Sequence, residues 1–257
     1  YDGSSWTTGT AINTARSYPG AAGTTTAMAM FGGTTDGGDP GNTGATEMYD
    51  GTSWAETGDL STARRFPGPA GTKSLGLAMG GFGPAAKSNA EEFHITAMTV
   101  TQGTWGSGGN LTTTRRSFTG GAGTLTAGMV AGGYTSTFHN QTEEYDGSSW
   151  TNGGNYPASL YYVTIGGTQT AGVGIGGGDP VISEGCEYDG SSWTDVTNAP
   201  ESRKMMGRAG TQTAGLAFGG RTPPSTKVTL SEEYNGTSWA EGGDIPTGLD
   251  AMSGCGT

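Results

Sequence analysis

The chain has 257 residues, of which 51 are Gly, and its formal net charge is −11. No apolar run approaches the roughly 20 residues that a membrane-spanning helix needs, and Gly does not recur at every third position as in collagen. The balance of 23 Asp and Glu against 12 Lys and Arg lacks the basic surface of a nucleic-acid-binding protein. We therefore expect no membrane insertion and no nucleic-acid partner.

One short pattern repeats along the entire sequence. Each Trp ends a segment such as YDGSSW or its shorter variant TQGTW, and neighbouring Trp are 43 to 51 residues apart. They are Trp6, Trp54, Trp105, Trp150, Trp193 and Trp239. Gly-Thr steps and Gly pairs recur in the same phase, as at Gly23-Thr24 and Gly32-Gly33. A fixed period of this kind predicts a repeat architecture that extends over residues 1–257 as one domain, with repeat boundaries near the Trp residues.

Each unit consists of four predicted short strands, a to d, in a fixed order. Strand a runs into the Gly-Thr step, as over 15–24, and strand b is a small and apolar run into the Gly pair, as over 25–33. Strand c ends on an acidic-aromatic step, TEEY at 142–145 and SEEY at 231–234, and strand d carries the Trp. No stretch combines 3.6-residue periodicity with capping residues, so we predict essentially no helix.

The connection between strands c and d contains Asp-Gly or Asn-Gly, the strongest short signal for a hairpin. A type I′ turn needs positive φ at both central residues, which these residue types tolerate. The sequence therefore predicts two-residue turns at four places: Asp50-Gly51, Asp146-Gly147, Asp189-Gly190 and Asn235-Gly236.

Four strands per repeat at this period predict an all-β fold, a β-propeller with one four-stranded blade per repeat. The Gly- and Ala-rich b strands fit the crowded axis, and the Trp and Tyr side chains fill the wider gaps farther out. Counting strand markers gives about six blades with the last one incomplete, which we prefer to seven. We expect the chain to be part of a longer polypeptide. A right-handed solenoid of sheets is the alternative.

An Arg early in strand a, a Gly pair that closes strand b, and Tyr-Asp five residues before Trp together resemble kelch-like repeats. The arginines lie eight residues before the Thr of a Gly-Thr step: Arg16, Arg64, Arg116 and Arg203. The amino-acid sequence of the repeat also resembles repeats in structural and fibre proteins of tailed bacteriophages, marine ones especially. Leu160 and Leu249 depart from the pattern, and in the second repeat either Phe93 or Val100 takes the Tyr position.

Two interpretations of the four arginines remain open. They could pair with acids that recur on strand c as structural ties between strands or blades: Glu47, Glu92, Glu144, Glu187 and Glu233. Alternatively, Arg16, Arg64, Arg116 and Arg203 line one end of the channel and bind an anionic ligand such as an acidic sugar. Repetition in phase favours the structural role, and the four remain our candidate binding residues.

Other chemically active residues do not form a recognisable catalytic set. His94 and His139 are the only histidines, and neither Cys lies near a His as the metal site of a galactose-oxidase-like propeller would require. Cys255 replaces an Ala of the other repeats, which indicates a small buried residue, and Cys186 lies beside a strand-c acid. The acids of the b–c loops, Asp36, Asp39 and Asp179, could bind Ca²⁺ but are also ordinary turn residues. We expect no catalytic residue, no cofactor and no metal.

A fixed frame with variable b–c loops is how binding surfaces are usually built. The sequence therefore predicts a non-enzymatic propeller module of a virion, a fibre or another extracellular assembly. Its loop faces would bind other assembly proteins or a host surface glycan, and it could itself assemble into oligomers. A free-standing multivalent lectin is one alternative, and an enzyme resembling galactose oxidase is another.

Overall fold

The computed structural model describes residues 1–95, 103–116 and 120–256. All regular structure within these ranges is β-strand, which confirms the expected all-β fold. The described residues contain no helix that could cross a membrane. Five four-stranded antiparallel sheets form the blades of a β-propeller, and each sheet contains strands a to d of one repeat.

The strands follow the predicted pattern in chain order. Blade 1 contains β1 (Gly20–Thr24), β2 (Ala27–Phe31), β3 (Thr46–Tyr49) and β4 (Trp54–Glu56). Blade 2 contains β5 (Gly68–Gly71), β6 (Leu75–Met79), β7 (Ala90–His94) and β8 (Thr104–Ser107). Blade 3 contains β9 (Gly121–Thr124), β10 (Ala127–Ala131), β11 (Thr142–Tyr145) and β12 (Trp150–Asn152). Blade 4 contains β13 (Thr164–Thr168), β14 (Ala171–Ile175), β15 (Gly185–Tyr188) and β16 (Trp193–Val196). Blade 5 contains β17 (Gly207–Thr211), β18 (Ala214–Phe218), β21 (Ser231–Tyr234) and β22 (Trp239–Glu241). Between its strands b and c, β19 (Arg221–Thr222) and β20 (Thr226–Lys227) form a small separate hairpin.

The innermost strand of each blade is strand a, whereas the sequence pattern had suggested strand b for this place. Strands a of neighbouring blades contact one another, and Arg208 of blade 5 donates a hydrogen bond across the axis to the carbonyl oxygen of Gly121 in blade 3. A Cβ atom added to Gly121 would lie 2.7 Å from the carbonyl oxygen of Pro69 in blade 2. Small residues are therefore needed in strand a, because the blades converge there.

The gaps between blades are filled by the aromatic residues of strands c and d, as predicted. Tyr145 and Trp150 stack within blade 3 with ring centroids 4.9 Å apart, and an equivalent aromatic–Trp pair occurs in each of the five blades. Trp193 of blade 4 reaches the preceding blade, where its Nε1 donates to Thr142 Oγ1 at 2.8 Å. In blade 2 Phe93 pairs with Trp105, which confirms the first of the two proposed alignments. The other candidate, Val100, lies outside the described residues.

The c–d connections differ from the predicted two-residue turns. Tyr145 pairs with Trp150, so four residues form the loop, and of these only Gly147 has a positive φ. The Asp146 carboxylate accepts the backbone N–H groups of Ser148 and Ser149 at 2.8 Å. The Asp therefore acts as the acceptor of an Asx turn rather than as a residue with left-handed backbone.

The first and last described segments both lie against blades 5 and 1. Trp6 Nε1 donates to Gly243 O at 2.9 Å and to Ser231 Oγ at 3.2 Å. Gly210 N donates to Gly256 O at 2.8 Å, so residues 252–256 follow the inner edge of blade 5. Both ends of the described chain therefore contact blade 5.

Candidate functional site

Antiparallel connectivity divides the loops between two faces of the propeller. The a–b and c–d turns lie at one end of the strands, and the b–c loops lie at the other end with the d–a connections. We call the second end the b–c face. Its loops differ in length and composition, since blade 5 inserts a hairpin there and blade 4 has a short GGGDP loop. Sequence variation is therefore concentrated on this face.

Three of the four predicted arginines lie beneath the b–c face in buried ion pairs. Each pairs with a strand-c glutamate of its own blade: Arg16 with Glu47, Arg64 with Glu91, and Arg203 with Glu232. Each also donates from Nη1 to the carbonyl of the first Gly of the Gly pair. Burial lowers the pKa of the Arg64 guanidinium, while Glu91 partly offsets that effect. This placement fits the structural interpretation of these arginines.

The third blade shifts the pattern by one residue. Arg115, and not Arg116, forms the buried pair with Glu143, and its Nη1 donates to Gly132 O at 2.9 Å. Counting back from the Gly-Thr step selected Arg116 because the segment before β9 is one residue longer than in the other blades. Arg116 instead lies on the b–c face, where its backbone pairs with Tyr134.

The acids that were aligned with these arginines divide into two sets. Glu47 is an arginine partner, as predicted. The others bind tyrosine hydroxyls. Glu92 binds Tyr145, Glu144 binds Tyr188 and Glu187 binds Tyr234, each in the next blade, and Glu233 binds Tyr1 of the first described segment. These four acids therefore bind tyrosine and not the expected arginine, and Glu92, Glu144 and Glu187 connect neighbouring blades through these bonds.

A cleft of about 420 Å³ opens on the b–c face between blades 2, 3 and 4. Two cations, five aromatic residues and one acid line it: Arg65, Phe66, Arg116, Tyr134, Phe138, Tyr161, Tyr162 and Asp179. A second concavity, near the axis beside Tyr18 and Met252, measures only about 10 Å³. Of these two spaces, only the first falls in the range of about 300–1,000 Å³ that small-molecule sites occupy.

Cations and aromatic rings alternate along one side of this cleft. The Phe82 ring lies between two guanidinium groups, with its centroid 4.8 Å from the Cζ of Arg65 and 4.3 Å from the Cζ of Arg116. Arg116 also lies 5.3 Å from the centroid of Tyr134. Such contacts fix the guanidinium plane while leaving its N–H groups available for hydrogen bonds.

An aromatic stack forms another part of the cleft lining. Phe138 and Tyr161 lie nearly parallel, with centroids 5.0 Å apart and an interplanar angle of 6°. Phe138 is 40% exposed although it is a large apolar residue. Lys204 donates from Nζ to the Tyr161 hydroxyl at 3.3 Å. The stack thus offers an apolar surface beside polar groups.

The backbone that carries this surface has an unusual and repeated conformation. Tyr162 has a φ of 58° and Phe66 a φ of 55°, in the left-handed region that large side chains rarely occupy. The corresponding residues of other repeats, Tyr18, Met205 and Ala251, have the same conformation. Because it recurs, this conformation is the way each d–a connection turns into strand a, and it projects neighbouring side chains at the b–c face.

The remaining candidates are dispersed. His94 lies on β7 and contacts Glu92, and His139 lies in the b–c loop of blade 3, where burial lowers its pKa. Burial raises the pKa of the Cys186 thiol to about 12 and that of Cys255 to about 11. Asp36 accepts hydrogen bonds from its own loop, at Gly38 N and Thr34 Oγ1. No group of three or more His, Cys, Asp or Glu side chains that could hold a metal occurs in ranges 1–95, 103–116 and 120–256.

The sequence reasoning missed the aromatic cleft because its residues break the repeat instead of following it. Tyr134, Phe138 and Tyr161 have no aromatic counterparts at the same positions of blade 1, where Thr34 and Ser17 correspond to Tyr134 and Tyr161. The signal available in the sequence was that large aromatic residues interrupt a repeat that is otherwise rich in Gly and Thr. Comparison with protein-family models and with curated proteins gives no match for this chain.

Proposed function

We propose that the protein is a non-enzymatic propeller module of a virion, a fibre or another extracellular assembly, and that it binds its partner through the b–c face. The aromatic and cationic cleft between blades 2, 3 and 4 carries this proposal. Aromatic and arginine side chains around a concave surface are the residue types that dominate binding energy at interfaces. The partner is a protein of the same assembly or a glycan at a host surface.

The chemistry of the remaining reactive groups supports a binding role over an enzymatic one. Buried thiols with raised pKa values are protonated at neutral pH and are therefore weak nucleophiles. His94 and His139 lie on different blades, on β7 and on the b–c loop of blade 3. The cleft itself combines binding groups, arginine and aromatic rings, without a nucleophile beside a base.

We further propose that the ring has six kelch-like positions, and that residues 1–6 and 252–256 share the sixth. Two contacts support this. The Tyr1 hydroxyl donates to Glu233 as that of Tyr234 does to Glu187, and the Trp6 indole donates to Ser231 as that of Trp193 does to Thr142. If residues 1–6 hold a blade position, Trp6→Ala lowers the urea midpoint as much as Trp193→Ala. No change for Trp6→Ala would contradict the sixth position.

The binding role is tested with variants on opposite faces. The double variant Phe138→Ala/Tyr161→Ala removes the stack, and Leu75→Ala removes a 44% exposed apolar side chain at the a–b turn of blade 2, on the other face. The parent and both variants are compared in pull-downs of proteins from the native assembly and on a glycan array. We expect the cleft variant to lose at least about tenfold in affinity and Leu75→Ala to bind normally.

The native assembly state is measured in parallel by intact mass and by sizing of material from the source. Recovery of the module within a particle or fibre supports the structural role. A free monomer with several equivalent sugar sites in calorimetry would instead favour a multivalent lectin. Equal binding by the parent and the cleft variant would place the binding surface outside the cleft.

A further inference from the structure

We infer that the cleft binds a pyranose that carries one carboxylate, an inference that rests on the proposed binding function and specifies its ligand. Arg116 would pair with the carboxylate, and the stack of Phe138 and Tyr161 would pack against the C–H face of the sugar ring.

Arg116 differs from its neighbours in having no acid partner among the described residues. Arg115 is buried against Glu143, and Arg65 forms an ion pair with Asp39 at 2.7 Å. Among the described residues, the guanidinium group of Arg116 lies over the rings of Phe82 and Tyr134, with its Cζ 4.3 and 5.3 Å from their centroids. A guanidinium group held between rings is already oriented, so it loses little conformational freedom when it binds a carboxylate in two parallel hydrogen bonds.

The stack supplies the second half of the site. The face of an aromatic ring carries partial negative charge, and the C–H hydrogens on one face of a pyranose carry partial positive charge. Phe138 is 40% exposed, and its ring lies parallel to that of Tyr161. The ring centroids of Tyr134 and Tyr161 are 6.2 Å apart, and Arg116 lies over the Tyr134 ring. The stack and the cation Arg116 therefore border the same space. A sugar hydroxyl would also find phenol groups that can donate or accept hydrogen bonds.

The charge distribution favours one carboxylate over many. The chain carries a net charge of −11, so a polyanion would meet repulsion over most of the surface. Within the cleft, the charge of Arg65 is already balanced by Asp39, and Asp179 adds a negative charge at the rim. Arg116 is therefore the one lining cation without an acid partner among the residues that the structure describes.

The test uses two sugars that differ only in the acidic group. Methyl β-glucuronoside and methyl β-glucoside are titrated against the full chain, with amide shifts in NMR as the readout. We expect the glucuronoside to bind at least about tenfold more tightly, because a hydrogen bond to a charged partner is stronger than one to a neutral partner. Arg116→Gln should bring the glucuronoside down to the glucoside level, and Phe138→Ala should weaken both sugars. Leu75→Ala is the matched control, and unchanged near-UV circular dichroism verifies the fold of each variant.

The possible contrary results are distinguishable. Equal affinity for the two glycosides, or glucuronoside binding that Arg116→Gln leaves unchanged, would overturn the inference. Acetate binding as tightly as the glucuronoside would overturn it as well, since charge alone would then suffice. If neither glycoside binds while the cleft variant still loses its assembly partner in pull-downs, this inference fails and the proposed function stands. If the cleft variant loses no partner of any kind, the proposed function fails.

Discussion

Leu160 and Cys186 of blade 4 belong to one buried apolar cluster. They occupy the positions at which blades 1, 2, 3 and 5 have a buried arginine and its glutamate partner. The equivalence follows from the backbone, because Gly133 N donates to Leu160 O just as Gly81 N donates to Arg115 O. Tyr156 joins the same cluster at the position of Leu111. Blade 4 has therefore exchanged a whole ion pair for apolar residues and has filled the remaining space with a larger side chain.

This exchange predicts the result of copying blade 4 into blade 3. Arg115→Leu alone leaves the Glu143 carboxylate buried without its partner and should lower the free energy of unfolding by about 3–5 kcal/mol. The triple variant Leu111→Tyr/Arg115→Leu/Glu143→Cys removes both charges and fills the space, so we expect it to be more stable than the single variant. Urea unfolding followed by Trp fluorescence gives the midpoints. Leu111→Tyr alone is the control, and a triple variant less stable than Arg115→Leu would contradict the argument.

Most of the frame was predictable from the sequence because it repeats. The c strands of blades 3 and 5, Thr142–Tyr145 and Ser231–Tyr234, end on the predicted acidic-aromatic step, because the strand pattern and the turn residues that follow agree there. The c–d turns were wrong because the side chain of Asp146 competes for backbone N–H groups, a choice that the dipeptide Asp-Gly does not reveal. Arg116 was misaligned because one extra residue precedes β9. The cleft depends on which non-repeating side chains meet in space, and the repeat contains no information on that.

The hydrogen bonds between tyrosine hydroxyls and glutamates predict a cost for removing one oxygen atom. Tyr145 donates to Glu92 of the preceding blade at 2.5 Å. Tyr145→Phe should lower the free energy of unfolding by about 1.5–3 kcal/mol, the usual contribution of a hydrogen bond to a charged group. Tyr49 provides the matched control, because its hydroxyl has no hydrogen-bond partner among the described residues while its ring stacks on Trp54 in the same way. An equal loss for Tyr49→Phe would show that the effect does not come from the bond between blades.

The same tyrosines predict a loss of stability in alkaline solution. Burial and the Glu92 carboxylate raise the pKa of Tyr145 to about 12, and burial with Glu144 raises that of Tyr188 to about 12. An unfolded tyrosine has a pKa near 10, so the folded state holds its proton more tightly. This contribution is fully present below pH 10 and disappears as the pH rises through 12. Urea midpoints measured between pH 9 and 12 should fall, and the double variant Tyr145→Phe/Tyr188→Phe should show a smaller fall. An identical slope in parent and variant would assign the loss to other groups.

The c–d turns predict the opposite dependence in acid. Hydrogen bonds from the backbone of Ser149, the hydroxyl of Ser148 and the backbone of Ser148 lower the pKa of Asp146 to about 2. Because the pKa of an unfolded Asp is near 3.9, the stabilisation is present above pH 4 and is lost as the pH falls through 2.

Blade 5 contains a natural control, since Asn235 accepts the same two backbone hydrogen bonds at 2.9 Å without a charge. Asp146→Asn should therefore lower the urea midpoint at pH 7 only slightly, because the amide oxygen keeps both backbone hydrogen bonds without the charge, and should abolish the fall between pH 4 and 2. Asp146→Ala should lower the midpoint at both pH values, because the N–H groups of the turn lose their acceptor. A destabilisation of Asp146→Asn at pH 7 equal to that of Asp146→Ala would mean that the turn depends on the charge and not on the hydrogen bonds.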